Sequence, residues 1–137
     1  MKATNSKKMR KELINNLTPE SFDNYYDYFY YLHLNDYVRL LHVIGMVVGL
    51  IVLAFAIYYM SFILFIIYSL LFYGMGFISH ALFDGTPSKT ASEAPWKSFI
   101  YATKINFLYM LGKCPKLDKE FLEKYPFCAK SFLDSSK

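Results

Sequence analysis

The chain has 137 residues, enough for one compact unit and no second core of useful size. Hydrophobic residues make up 55% and aromatics 20%, more apolar surface than a soluble core of this size can hide. A net charge of +4 would suit nucleic acid, but residues 40–83 hold no Asp, Glu, Lys or Arg, so the membrane reading displaces the basic-patch reading and no nucleic-acid partner is expected.

The first twenty residues are polar and lack the apolar stretch of a secretory signal, so the first span must serve as the insertion signal. Residues 1–17 carry Lys2, Lys7, Lys8, Arg10 and Lys11 with little periodicity and read as a mobile basic leader. A helix over 19–34 is predicted next. Thr18 can cap it, Pro19 suits its first turn, and Glu20 favours the positive end of its dipole. Phe22, Tyr25, Tyr26, Phe29 and His33 share one face, with Glu20, Asp23, Asn24 and Asp27 largely elsewhere, a pattern suited to the headgroup region.

Asn35-Asp36 breaks that pattern and offers an N-cap. As one straight helix the uncharged stretch would extend about 66 Å, roughly twice a ~30 Å hydrocarbon core. Two spans fit, about 38–58 and 62–83, turning near Tyr58-Tyr59-Met60-Ser61. All 15 Lys and Arg lie outside this hairpin, so positive-inside bias puts both termini in the cytoplasm.

Beyond it, Gly85-Thr86-Pro87-Ser88 is a loop signal. Pro95 opens a helix over about 95–111, with Trp96, Phe99, Ile100, Thr103 and Phe107 on one face and Lys97, Tyr101 and Lys104 on the other. Lys104 in its middle favours an amphipathic surface helix over a third span. Residues 113–137 read as a charged cytoplasmic tail with a short helix after Asp118, in which Cys114 and Cys128 are free thiols. The expected fold is an all-α membrane protein: a two-span transmembrane helical hairpin flanked by interfacial amphipathic helices, surrounded by membrane lipids.

The hairpin gives the three histidines a shared level. His42 and His80 both fall roughly 27–30 Å from the turn, at 1.5 Å per residue. His33 ends the preceding helix at the same boundary, and Asp84 shares a helical face with His80. Taken singly, each histidine reads as a hydrogen-bonded structural residue. Together, His33, His42, His80 and Asp84 are candidate metal ligands; the set suits iron(II) with open positions, and spacing does not exclude zinc. Gly45 and Gly49 form a G-x-x-x-G pair, with Gly74 and Gly76 on the second span. Such residues let backbones approach, either within the hairpin or in a homo-oligomer through Gly45 and Gly49. No motif supports Ser/His/Asp or Cys/His catalysis.

The segment from His33 through Asn35, Asp36, Val38, Arg39 and His42 to Gly45 resembles an H-x-N-P-x-N-R-x-x-H-x-x-G signature, and His80-Ala81-Leu82-Phe83-Asp84 resembles H-x-x-F-E. Both belong to the Mpo-type membrane 2-hydroxy fatty acid dioxygenases, a resemblance covering roughly residues 25–112. It implies iron(II) held by histidines and α-oxidation, in which a 2-hydroxy fatty acid substrate reacts with dioxygen and leaves one carbon shorter. By position, His33, His42 and His80 would be ligands. Asp84, where the family has Glu, would be a ligand or an orienter of His80, and Arg39 would pair with the substrate carboxylate. Asp36 replaces the family's Pro, Val38 its Asn, and Gly85-Thr86-Pro87 its K-N-x-P run. The implied location is the endoplasmic reticulum in a eukaryote or the inner membrane in a bacterium. A reading from another class is a non-catalytic membrane hairpin that shapes membranes or assembles through helix–helix contacts.

Overall fold

A computed structural model describes residues 2–86 and 88–133, so Pro87 of the expected loop and the last four residues of the tail lie outside the described residues. The described residues are helical throughout: α1 (Lys2–Asn16), a 3-10 turn (Pro19–Ser21), α2 (Tyr25–Leu32), α3 (Asp36–Tyr58), α4 (Phe62–Ser79) running into a π-helical turn (His80–Asp84), α5 (Lys89–Glu93), α6 (Pro95–Met110), α7 (Cys114–Lys124) and α8 (Pro126–Leu133).

The helices α3 and α4 pack as the expected hairpin. Asn35 caps α3 by accepting the Tyr37 amide at 2.9 Å. The chain reverses at Tyr59-Met60-Ser61, where Met60 takes a left-handed φ of 50° and Ser61 caps α4. Asp36–Tyr58 and Phe62–Asp84 are each 23 residues long and apolar enough to cross a membrane. Only 28% and 11% of their most apolar windows are buried, whereas the core helix of a soluble protein would be mostly covered. Leu50, Ile51, Phe55, Ile63, Phe65 and Leu70 all face outward. Lipid is the environment that matches this surface.

The G-x-x-x-G pair is used inside the hairpin. A Cβ on Gly45 would stand 2.7 Å from Met75 Cβ and 2.9 Å from the Leu71 carbonyl oxygen, and one on Gly49 would meet the Tyr68 ring at 3.3 Å. Both glycines are buried against α4. They serve the close approach of α3 and α4 within the chain.

The remaining helices build a cap at the open end of the hairpin, and here several expectations are corrected. The leader is helical, and the second half of α1 docks: Ile14 is buried in the aromatic core and Arg10 reaches the π-turn. The helix predicted from residue 19 begins only at Tyr25, because Phe22 is extended and Asn24 caps α2 by accepting the Asp27 amide at 2.9 Å. Nor does α2 lie on a surface. Tyr28, Phe29, Tyr30, Tyr31 and Leu32 are consecutive and buried, so the helix is covered all round and belongs to a core. The expected tail closes that core with Phe121, Tyr125 and Cys128, and Asp27 ties it down by accepting from Lys124 Nζ and Tyr125 Oη, both at 2.7 Å. Cys114 and Cys128 are buried and not joined in a disulfide. Helix α6 starts at Pro95 as expected but packs on α3 and α2 through Ala102, Ile105 and Asn106, leaving Trp96, Ile100 and Phe107 outward.

Candidate metal centre

The three histidines meet where cap and hairpin join. His33 caps the end of α2, His42 lies in the second turn of α3, and His80 opens the π-turn that ends the second span. A π-turn is a local widening of the helix, found mostly where function needs a side chain re-aimed. Gly85, left-handed at φ 69°, terminates it.

Each imidazole is oriented by a hydrogen bond on Nδ1. The Phe29 carbonyl oxygen accepts from His33 Nδ1 at 2.8 Å, and the Val38 carbonyl oxygen accepts from His42 Nδ1 at 2.8 Å. Asp84 Oδ2 accepts from His80 Nδ1 at 2.7 Å. Carbonyl oxygens only accept, so these bonds place the proton of the neutral ring on Nδ1 and leave Nε2 as a bare lone pair. Phe29 also stacks on His33, with ring centroids 4.1 Å apart. Burial, then the neighbouring His80 and His42, holds the His33 imidazole well below the usual histidine range and keeps it neutral.

The free nitrogens converge. His80 Nε2 and His33 Nε2 are 3.3 Å apart, and one ligand nitrogen from each of the three histidines lies within 4.8 Å of the others. A cation between these two nitrogens would take up both lone pairs. The same spacing suits two imidazoles each about 2.1 Å from a shared ion. Gly76 makes room for this arrangement, since a Cβ there would stand 3.0 Å from His42 Nε2. The donor set therefore fits a divalent metal ion.

Asp84 is not among the converging donors. Its two oxygens are engaged elsewhere, Oδ2 by His80 and Oδ1 by Arg10 Nε at 2.6 Å, and its side chain is fully buried. It stands behind His80 on the hydrogen-bonded Nδ1 side, the position an orienting carboxylate takes. Arg39 is also fully buried, and its fork is taken up by Asp118, with Nη1–Oδ2 at 2.8 Å and Nη2–Oδ1 at 2.7 Å. Tyr30 Oη donates to the same carboxylate at 2.8 Å. Asp118 thus stands where a substrate carboxylate was expected, because a guanidinium removed from water requires an internal counter-ion.

Sequence reasoning missed both Arg10 and Asp118. The helical spacing of Arg10 to Ile14 was the one available sign that the leader had a buried face. Nothing local marks Asp118.

Beside the imidazoles, a small cleft opens between α2, α4 and α6. His33 and His42 form one part of its wall, Phe72, Phe77 and Phe99 another. Ser98 and Thr90 close the α5–α6 side, with Ser98 Oγ donating to the Thr90 carbonyl oxygen at 2.6 Å. The cleft is therefore apolar on one side and bounded by imidazoles on the other.

Fold and site together define a helical hairpin of membrane-span dimensions whose capped end carries a buried three-imidazole group able to hold a metal ion. Residues 19–114 match the family model described as 2-hydroxy-palmitic acid dioxygenase Mpo1-like, and the chain belongs to that family. The matched segment contains all three histidines and Asp84, but neither Arg10 nor Asp118. No curated protein and no solved structure matches the chain.

Proposed function

We propose that the protein is an iron(II)-dependent dioxygenase that shortens 2-hydroxy fatty acids by α-oxidation at the membrane interface. The observation that carries this reading is the convergence of a ligand nitrogen from each of three histidines whose rings are all held by a hydrogen bond on Nδ1. Family membership supplies the substrate class. Iron is favoured over zinc because dioxygen chemistry needs a redox-active ion, and zinc has none.

When bound, iron would activate dioxygen and polarise the hydroxy-acid head of the substrate. The chain's own residues contribute placement. His33, His42 and His80 present fixed lone pairs, and Asp84 keeps the His80 ring aimed. Phe72, Phe77 and Phe99 offer the acyl chain an apolar wall continuous with lipid, so the tail need not leave the bilayer for its head to reach the imidazoles. The cap excludes water from the reacting end. The distribution of Lys and Arg supports a topology with both termini, and with them this centre, on the cytoplasmic side. A purely architectural hairpin has less support, since the glycines that would serve association are consumed within the chain.

Full-length protein purified in mild detergent under reducing, anaerobic conditions should carry close to one iron per chain. It should convert 2-hydroxypalmitic acid and dioxygen to the product one carbon shorter. His42→Ala should lose the metal and lower turnover by more than about 100-fold, beyond the loss usual for an outer-layer change. Folded wild-type protein that binds no metal, or turnover indifferent to His42→Ala, would rule the reading out.

A further inference from the structure

The innermost charged contact of the centre comes from outside the segment that defines the family. Arg10 belongs to α1, nine residues before the matched region begins. Its Nε donates to Asp84 Oδ1 at 2.6 Å, and its side chain is only 11% exposed. Asp84 Oδ2 accepts from His80 Nδ1 at 2.7 Å. A second contact fastens the same helix to the far side of the π-turn, where Lys89 Nζ donates to the Ile14 carbonyl oxygen at 3.3 Å.

We propose that Arg10 is a positioning residue for the imidazole centre: by claiming one oxygen of Asp84 it keeps that carboxylate out of the ligand set and fixes the other oxygen on His80. The inference rests on the reading of the three histidines as a metal site.

The physical case is one of competition. A buried carboxylate beside a vacant metal position has two uses, as a ligand or as an acceptor behind a ligand. Carboxylate oxygens bind divalent iron, cobalt and zinc readily, so an unrestrained Asp84 would be drawn to the ion. The guanidinium removes that freedom. It holds Oδ1 by a charge-assisted bond and neutralises the carboxylate where water is absent. His80 then keeps its tautomer, with Nε2 bare and aimed at His33 Nε2 3.3 Å away. Without the guanidinium, Asp84 is a buried anion whose nearest compensation is the metal itself. The ligand set would change from three nitrogens to a mixed nitrogen–oxygen set, and His80 would lose its brace. Thus a helix at the start of the chain sets the character of a site built some seventy residues later.

Cobalt(II), whose visible spectrum reports ligand type and geometry, tests this on the full-length protein in detergent. Wild type should bind cobalt with one spectrum. Arg10→Gln, folded by circular dichroism, should bind about 10-fold or more weakly, the usual cost of losing an orienting contact, and its absorption bands should shift. Arg10→Lys keeps the charge and should recover part of the affinity. Lys11→Gln, an exposed change on the same helix, should leave both affinity and spectrum unchanged. A role confined to holding α1 in place would lower the melting temperature of the Arg10→Gln protein but leave its cobalt spectrum that of wild type. That result, or unchanged affinity, overturns the inference while the metal site stands. A wild-type chain that binds no cobalt overturns both.

Discussion

In the hairpin the large apolar side chains point outward, with Phe62 and Ile63 75% and 70% exposed; in the cap the reverse holds, and Tyr28 and Phe29 are each 1% exposed. The two regions draw on similar residues under opposite rules. Along α3 and α4 the surroundings are apolar, so there is no gain from turning apolar groups inward, and the contact between helices is made where small residues allow close approach. In the cap the surroundings are water and headgroups, and aromatic rings collect into a core with ion pairs sealing its edges. The comparison teaches that this centre is a joint. His42 and His80 come from the lipid-facing part and His33 from the water-facing part, so the three nitrogens meet only when cap and hairpin are docked.

The sharpest way to break that picture is to remove the ion pair sealing the joint. Asp118→Ala strands the fully buried Arg39 guanidinium, leaving it Asp36 Oδ1 at 3.5 Å and the Tyr30 ring at 5.2 Å. The expected loss is about 3 kcal/mol, read as a lower unfolding midpoint in denaturant and weakened near-ultraviolet tyrosine dichroism. An unchanged midpoint would mean that the cap is not held to the hairpin in this way. A smaller effect is expected from the hairpin side. Gly45→Leu pushes a side chain into Met75 and the Leu71 carbonyl, and overpacking of this kind costs about 1–3 kcal/mol. If the glycine instead faced a second copy, the variant would alter oligomeric state without destabilising the chain. The mildest probe leaves stability alone. Burial pushes the Cys128 thiol up to about 12 and raises that of Cys114, so little of either is thiolate at neutral pH. Both should resist iodoacetamide at pH 8 in the native protein and react once it is unfolded. Rapid labelling of the native chain would show that the cap is open.

The same division explains what could be read from the sequence. The spans were legible nearly to the residue, because a 44-residue uncharged stretch admits only one division at ordinary bilayer thickness. The levels of His42 and His80 followed from that division. The cap was harder. Its aromatic helix carries Asp27 and Asn24 among tyrosines, a pattern shared by interfacial helices and by core helices whose polar groups are paired. What decides between them is the presence of α7 and α1 overhead, and tertiary covering leaves no local periodic signal. Asp84 illustrates the limit. Its spacing from His80 correctly predicted that the two would meet, but gave no sign that Arg10, seventy-four residues away, would hold its other oxygen. Arg39 is a parallel case: its motif suggested an open guanidinium, and only the fold shows Asp118 already there.

The turn at Tyr59-Met60-Ser61 has a consequence for how the cell can address this protein. With so few residues joining the two spans, the far leaflet meets almost nothing but a tyrosine rim and a methionine. With both termini on one side of the bilayer, as proposed, a reagent confined to the other side would meet only this turn among the described residues.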